Sequence, residues 1–122
     1  MALSASPADA RYPYQMFQDT DVDENVKVDV TGAAATLYYL DCVSTLSSSS
    51  LFVKFYDEAT VTRGTSEPVF MVKIPASGTK RMSFPDGIPF TTALSYCCDD
   101  GAGKSAGSGP PTGNMTLRFV VT

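Results

Sequence analysis

From Asn25 onward, apolar and polar residues alternate with a period of two, the mark of half-buried strands rather than of a helix stripe. Val26, Val28 and Val30 alternate with Lys27 and Asp29 and predict a first strand. Tyr38, Leu40 and Cys42 share one face of a second. Leu51, Val53 and Phe55 alternate with Phe52, Lys54 and Tyr56 in a third, whose other face is only partly polar. Phe70, Val72 and Ile74 predict a fourth, and Met82 with Phe84 a short fifth. Ile88, Phe90, Leu94 and Tyr96 fit a sixth, and Met115, Leu117, Phe119 and Val121 a last one. No segment carries a 3.6-residue stripe.

Turn chemistry separates these runs. Thr31-Gly32, Ser47 to Ser50, Arg63-Gly64, Ser77-Gly78 and Asp86-Gly87 are read as strand ends. A single sheet of such strands would leave one apolar face wet, so two must pack together. The expected fold is all-β, an antiparallel β-sandwich of the jelly-roll or Greek-key kind. The stretch from Asp99 to Gly113 is almost entirely Asp, Gly, Ala, Ser and Pro, and predicts an exposed, mobile loop before the final strand.

The first 24 residues read differently, and the expected organisation is an extended N-terminal arm over 1–24 followed by a sandwich over 25–122. Pro13 among aromatics disfavours a helix and favours extended chain. Tyr12, Tyr14, Met16 and Phe17 need a surface to lie on, and are the candidate partner-binding residues. Asp19, Asp21, Asp23 and Glu24 then read as a solvated acidic stretch. If the arm lies on a neighbouring subunit, deleting residues 2–18 should leave the sandwich folded and abolish assembly.

Composition narrows the function. A chain of 122 residues builds one hydrophobic core. The net charge is −4 and no basic run occurs, which argues against direct nucleic-acid binding and against docking on anionic membranes. The residues after Met1 lack the charge and apolar run of a signal peptide, and no apolar run approaches a membrane span, so a cytoplasmic site of synthesis is expected. Cys42, Cys97 and Cys98 are then read as buried free thiols.

Histidine is absent, which removes Ser-His-Asp and Cys-His catalysis and most zinc sites. Gly103-Lys104-Ser105-Ala106-Gly107 has the spacing of a nucleophile elbow but lies among glycine, serine and proline. Gly103-Lys104-Ser105 also resembles the tail of a phosphate-binding loop, yet Cys98 stands where its first glycine belongs. Asp19-Thr20-Asp21-Val22-Asp23 opens like a calcium loop, but Glu24 and Val30 occupy the positions that need glycine and glutamate. Asp41, Asp57, Asp99 and Asp100 are carboxylates near strand ends that the sequence cannot pair. The expectation is a protein that is not an enzyme, with no catalytic residue, no metal ligand and no cofactor.

Leu37-Tyr38-Tyr39-Leu40 and Phe52-Val53-Lys54-Phe55-Tyr56-Asp57-Glu58-Ala59 resemble a pattern in small tailed-bacteriophage virion proteins. So do Gly64-Thr65-Ser66-Glu67-Pro68-Val69, Ile74-Pro75-Ala76-Ser77-Gly78, and the run from Phe84 to Leu94. The resemblance implies a β-sandwich that decorates or cements a capsid, often as a trimer. It implies a homo-oligomer whose partners are the major capsid protein or other virion proteins, located in the virion after synthesis in the host cytoplasm. A tail, collar or fibre component is the alternative within that class. A carbohydrate- or receptor-binding module using Tyr38, Tyr39, Tyr56 or Tyr96 is the alternative outside it.

Overall fold

The computed structural model describes residues 3–5, 14–110 and 113–122. Among them there is no helix; the strands are β1 (Leu3–Ala5), β2 (Gln15–Asp19), β3 (Ala35–Ser44), β4 (Leu51–Tyr56), β5 (Phe70–Ile74), β6 (Thr79–Phe90), β7 (Ser95–Asp99) and β8 (Met115–Val121). They form two antiparallel sheets, a five-stranded one in the order β1-β2-β8-β3-β6 and a three-stranded one in the order β5-β4-β7. The sheets pack as a sandwich over one core, built from alternate residues of both inner faces.

β8 shows the rule at its simplest: Met115, Leu117, Phe119 and Val121 are buried and the residues between them are not. β5 follows the same alternation, with Val72 and Ile74 turned inward. In β4 and β7 nearly every residue is buried, so both faces of the smaller sheet are covered.

Three expectations change. The first concerns the arm. Residues 15–19 are a strand of the molecule's own larger sheet, hydrogen-bonded to β8 with Phe17 opposite Phe119. The two rings stack at 5.1 Å, and Phe17 is 6% exposed. Val22 is also buried, and its amide bonds the Met115 carbonyl. Asp19, expected in solvent, is fully buried and accepts a 2.7 Å hydrogen bond from the Tyr96 hydroxyl and one of 3.3 Å from Lys27 Nζ. The acidic stretch therefore begins inside the protein, because Asp19 shares the inward face of β2 with Phe17.

The second concerns Val26 to Val30. Only Lys27 bridges, exchanging backbone hydrogen bonds of 2.9 and 3.0 Å with Tyr96, and Val28 is 48% exposed. The run is cut short at Asp29, which has φ 47° and gives its amide to Ser95 Oγ. A left-handed residue cannot continue an extended strand.

The third concerns parity and turns. The register slips between Leu37 and Tyr39, so Leu37 and Leu40 both point inward and Tyr38 does not share the face of Leu40 and Cys42. Opposite that slip, Asp86-Gly87 is not a turn but an irregularity within β6, which runs from Thr79 to Phe90 as one strand. Gly87 has φ 76°, and a Cβ there would run into Thr36 Cγ2 and the Tyr38 ring. The real turn falls after Phe90. Asp57 gathers the amides of Thr91, Thr92 and Ala93 and the Thr91 hydroxyl, and the chain crosses to β7 in the other sheet.

Because β2 belongs to the core, deleting residues 2–18 is now expected to abolish the cooperative thermal transition and the β-sheet circular dichroism, rather than assembly alone. Phe119→Ala, which leaves β2 in place, should cost about 3–5 kcal/mol in urea unfolding.

Candidate functional site

The candidate partner-binding residues separate into three groups. Tyr12 lies outside the described residues. Phe17 is in the core and is not available to a partner. Tyr14 and Met16 are 52% and 46% exposed, on the outer face of the five-stranded sheet. Pleating puts them there: Met16 and Gln18 alternate with the buried Phe17 and Asp19.

Two rows of side chains cross this outer face. Met16, Val120, Tyr39 and Ser83 lie in register across β2, β8, β3 and β6. The Tyr14 and Tyr38 rings meet edge-on at 5.4 Å near one end of that row. The next row is Gln18, Arg118, Asp41 and Arg81. Arg118 Nε donates to Gln18 Oε1 at 2.9 Å, while Asp41 stands 3.7 Å from Arg118 and 3.6 Å from Arg81. Asp41 Oδ1 is buried and accepts no hydrogen bond within the described structure. An apolar, aromatic row beside a charged one is the composition of a contact surface with a polar rim.

The second constellation lies on the outer face of β4 and β7. Lys54 and Asp99 are each 1% exposed and pair at 2.8 Å, and Arg63 reaches Asp99 Oδ2 at 2.9 Å. Lys54 Nζ also donates to the Ser105 carbonyl at 2.7 Å, and Arg63 donates to the Gly107 carbonyl. Cys97 Sγ sits 3.8 Å from the Tyr56 hydroxyl. Burial pushes the Asp99 carboxyl up, but hydrogen bonds from Lys54, Arg63 and the Gly101 amide, with the Lys54 charge, outweigh it and hold it below its ordinary value. Burial likewise pushes the Cys97 thiol up. Cys42, beside Asp41, is pushed up to about 12, again chiefly by burial. All three cysteines are buried and free, and such thiols are poor nucleophiles.

Of the loop expected to be mobile, residues 99–110 are therefore tied down. Besides Lys54 and Arg63, Asp100 and Ser108 close its base with bonds of 3.0 and 2.8 Å, and Gly113 donates to Asp21 Oδ1 at 3.1 Å. Lys104 pairs with Glu67 at the surface, 3.3 Å away, and Ser105 gives its carbonyl to Lys54 and its amide to the Ala102 carbonyl. Of the calcium-loop fragment, Asp19 and Asp23 each cap the amide two residues on, and Asp21 is spent on Gly113. Sequence reasoning missed Lys54, Arg63 and Asp57 as organising residues. The only signal was a lysine on a strand whose neighbours of both parities are apolar.

Compared with known proteins, the chain matches no family model. No curated protein matches it either.

Asp57 is held below its ordinary value as well: desolvation raises it, and the Thr92, Ala93 and Thr91 amides with the Thr91 hydroxyl lower it by more. Both carboxylates have folded-state pKa values below the unfolded value of about 4, so the stability they contribute is present above that pH. Urea-unfolding free energy should be flat from pH 7 to 5 and fall as pH drops below about 4 through the folded values. Asp57→Asn, which loses charge-assisted bonds in a partly exposed turn, should cost about 1 kcal/mol at pH 7 and weaken that acid dependence.

Proposed function

We propose that this domain is a structural virion protein that decorates and cements a bacteriophage capsid through subunit–subunit contacts. The observation that carries the reading is the strand order. β2-β8-β3-β6 faces a sheet in which the bridged segment around Lys27 lies beside β7, followed by β4 and β5. With β1 taken as an added edge strand, we read that order as the one expected of a jelly roll, each sheet mixing early and late strands of the chain. The jelly roll is a recurrent fold of viral shell proteins. The resemblance of residues 35 to 96 to small tailed-phage virion proteins points the same way.

The contact surface in this reading is the outer face of the five-stranded sheet. Tyr14 and Met16 are its anchors, since aromatic and methionine side chains are enriched at contact surfaces and tyrosine among the residues that dominate association. The Gln18–Arg118–Asp41–Arg81 row supplies register at the rim. The protein acts as a homo-oligomer, a trimer, seated on the major capsid protein or another virion protein. Repetition over a shell then sums individually weak contacts.

Light scattering of the purified chain tests this directly. A trimer is expected, and Tyr14→Ser with Met16→Glu should lower the mass to that of a monomer while thermal unfolding is unchanged. A monomer at every concentration would defeat the homo-oligomer. In purified particles the copy number should be comparable with that of the coat subunit; a few copies per particle would move the protein to the tail or collar. Glycan binding by the isolated monomer would favour the carbohydrate-binding alternative instead.

A further inference from the structure

The segment 100–110 is held by polar contacts and contributes almost nothing to the core. Its residues are small or exposed apart from the buried Pro110, and none of them belongs to the hydrophobic cluster. The contacts that hold it over the sheet come from two buried or part-buried cations, Lys54 to the Ser105 carbonyl and Arg63 to the Gly107 carbonyl, and at the surface from the Gly103 amide on Met71 Sδ and the Lys104–Glu67 pair. The same two cations are paired to Asp99 at the end of β7. Strand, cations and segment therefore form one chain of contacts.

Beneath this cover lies the part of the outward face of β4 and β7 where Lys54 stands opposite Cys97. Both are buried. They are not covered by apolar packing from another strand, because β4 and β7 belong to a three-stranded sheet whose other face meets the core.

We infer that residues 100–110 form a latched strap, which opens as a unit about the Lys54–Asp99–Arg63 cluster and bares Cys97 while the sandwich stays closed. Opening breaks hydrogen bonds to backbone carbonyls that water can replace, and it removes no side chain of the hydrophobic cluster from its place. The closed latch is also incompletely satisfied: Arg63 Nε is buried and has no hydrogen-bond partner within the described structure. A buried donor without an acceptor is a cost of the closed state that opening relieves. Cys98 and Cys42, which face the core, are not reached by this motion. The inference is independent of the shell-coating proposal.

The two glycines at the base of the strap show how tightly it closes. A Cβ on Gly107 would collide with Asp100 Oδ1 and with the backbone of Gly101. Gly107→Ala therefore wedges the strap at its own base, beside the carbonyl that Arg63 bonds, and alters no side chain of the cluster or the core. Arg63→Met loosens it from the other side and leaves the Lys54–Asp99 pair in place.

The test is alkylation of the native full chain by iodoacetamide at one pH, with tandem mass spectrometry separating Cys97 from Cys98. In the unaltered protein all three thiols should be slow. In Arg63→Met and in Gly107→Ala, Cys97 should react at least about tenfold faster, equivalent to about 1.4 kcal/mol in the opening equilibrium, with Cys42 and Cys98 still protected. A common rate for all three thiols in either variant would mean that the strap opens only with the whole domain. Unchanged protection of Cys97 would mean that it does not open at all. Either result overturns the inference.

Discussion

Among the described residues no strand pairing joins the two sheets, so the sandwich depends on side chains meeting across it, and they meet at Phe55. Its ring lies 6.1 Å from Tyr96, 5.9 Å from Phe70, and 6.3 Å from both Phe90 and Phe119. Phe119 in turn carries Phe17 on one side and meets Tyr96 at 5.6 Å on another. Strands β2, β4, β5, β6, β7 and β8 are thus tied through one aromatic cluster. Offset and edge-on pairs add roughly 0.5–1.5 kcal/mol each to simple burial, and they also fix how the sheets sit on one another.

Around that cluster, three carboxylates do what apolar packing cannot. Asp19 joins β2 to β7 through the Tyr96 hydroxyl, linking the larger sheet to the smaller at the edge of the aromatic cluster. Asp57 shapes the turn by which the chain leaves β6 for β7. Asp99 holds two cations that hold the strap. A buried ion pair is weak grounds for high stability, since desolvation offsets much of its attraction. Its value here is geometric: Asp57 and Asp99 decide where loops go and Asp19 ties the sheets together, while Tyr14 and Met16 stand exposed on the outer face of the five-stranded sheet.

The parts of the fold that were legible in the sequence are those where local pattern and tertiary environment agree. β5 and β8 alternate as written, and Ser77-Gly78 does stand between β5 and β6. Misreadings cluster where one remote contact overrides the pattern. The Val26–Val30 run lost its strand to a left-handed Asp29, Tyr38 changed face at a bulge, and Asp86-Gly87 became an irregularity inside a strand. The turn after Phe90 has neither glycine nor proline, because its partner is Asp57, 34 residues away from Thr91. Of the candidate contact residues, the split between Met16 and Phe17 follows from strand parity, which could be assigned only once β2 was known to be a strand.

What the sequence by itself determined is the class of the object: an all-β chain, with amphipathic runs that must pair into two sheets and no histidine for the commonest catalytic sets. Those conclusions rest on periodicity and residue chemistry, which are local and need no partner. What only the tertiary structure decided is which elements belong together. It took residues 15–19 from an arm into the sheet, turned a glycine-rich loop into a strap, and buried Asp19 and Lys54. The physical reason is that a buried charge or a pinned loop is stabilised by a partner distant in the chain, and a one-dimensional pattern carries no record of which partner that is.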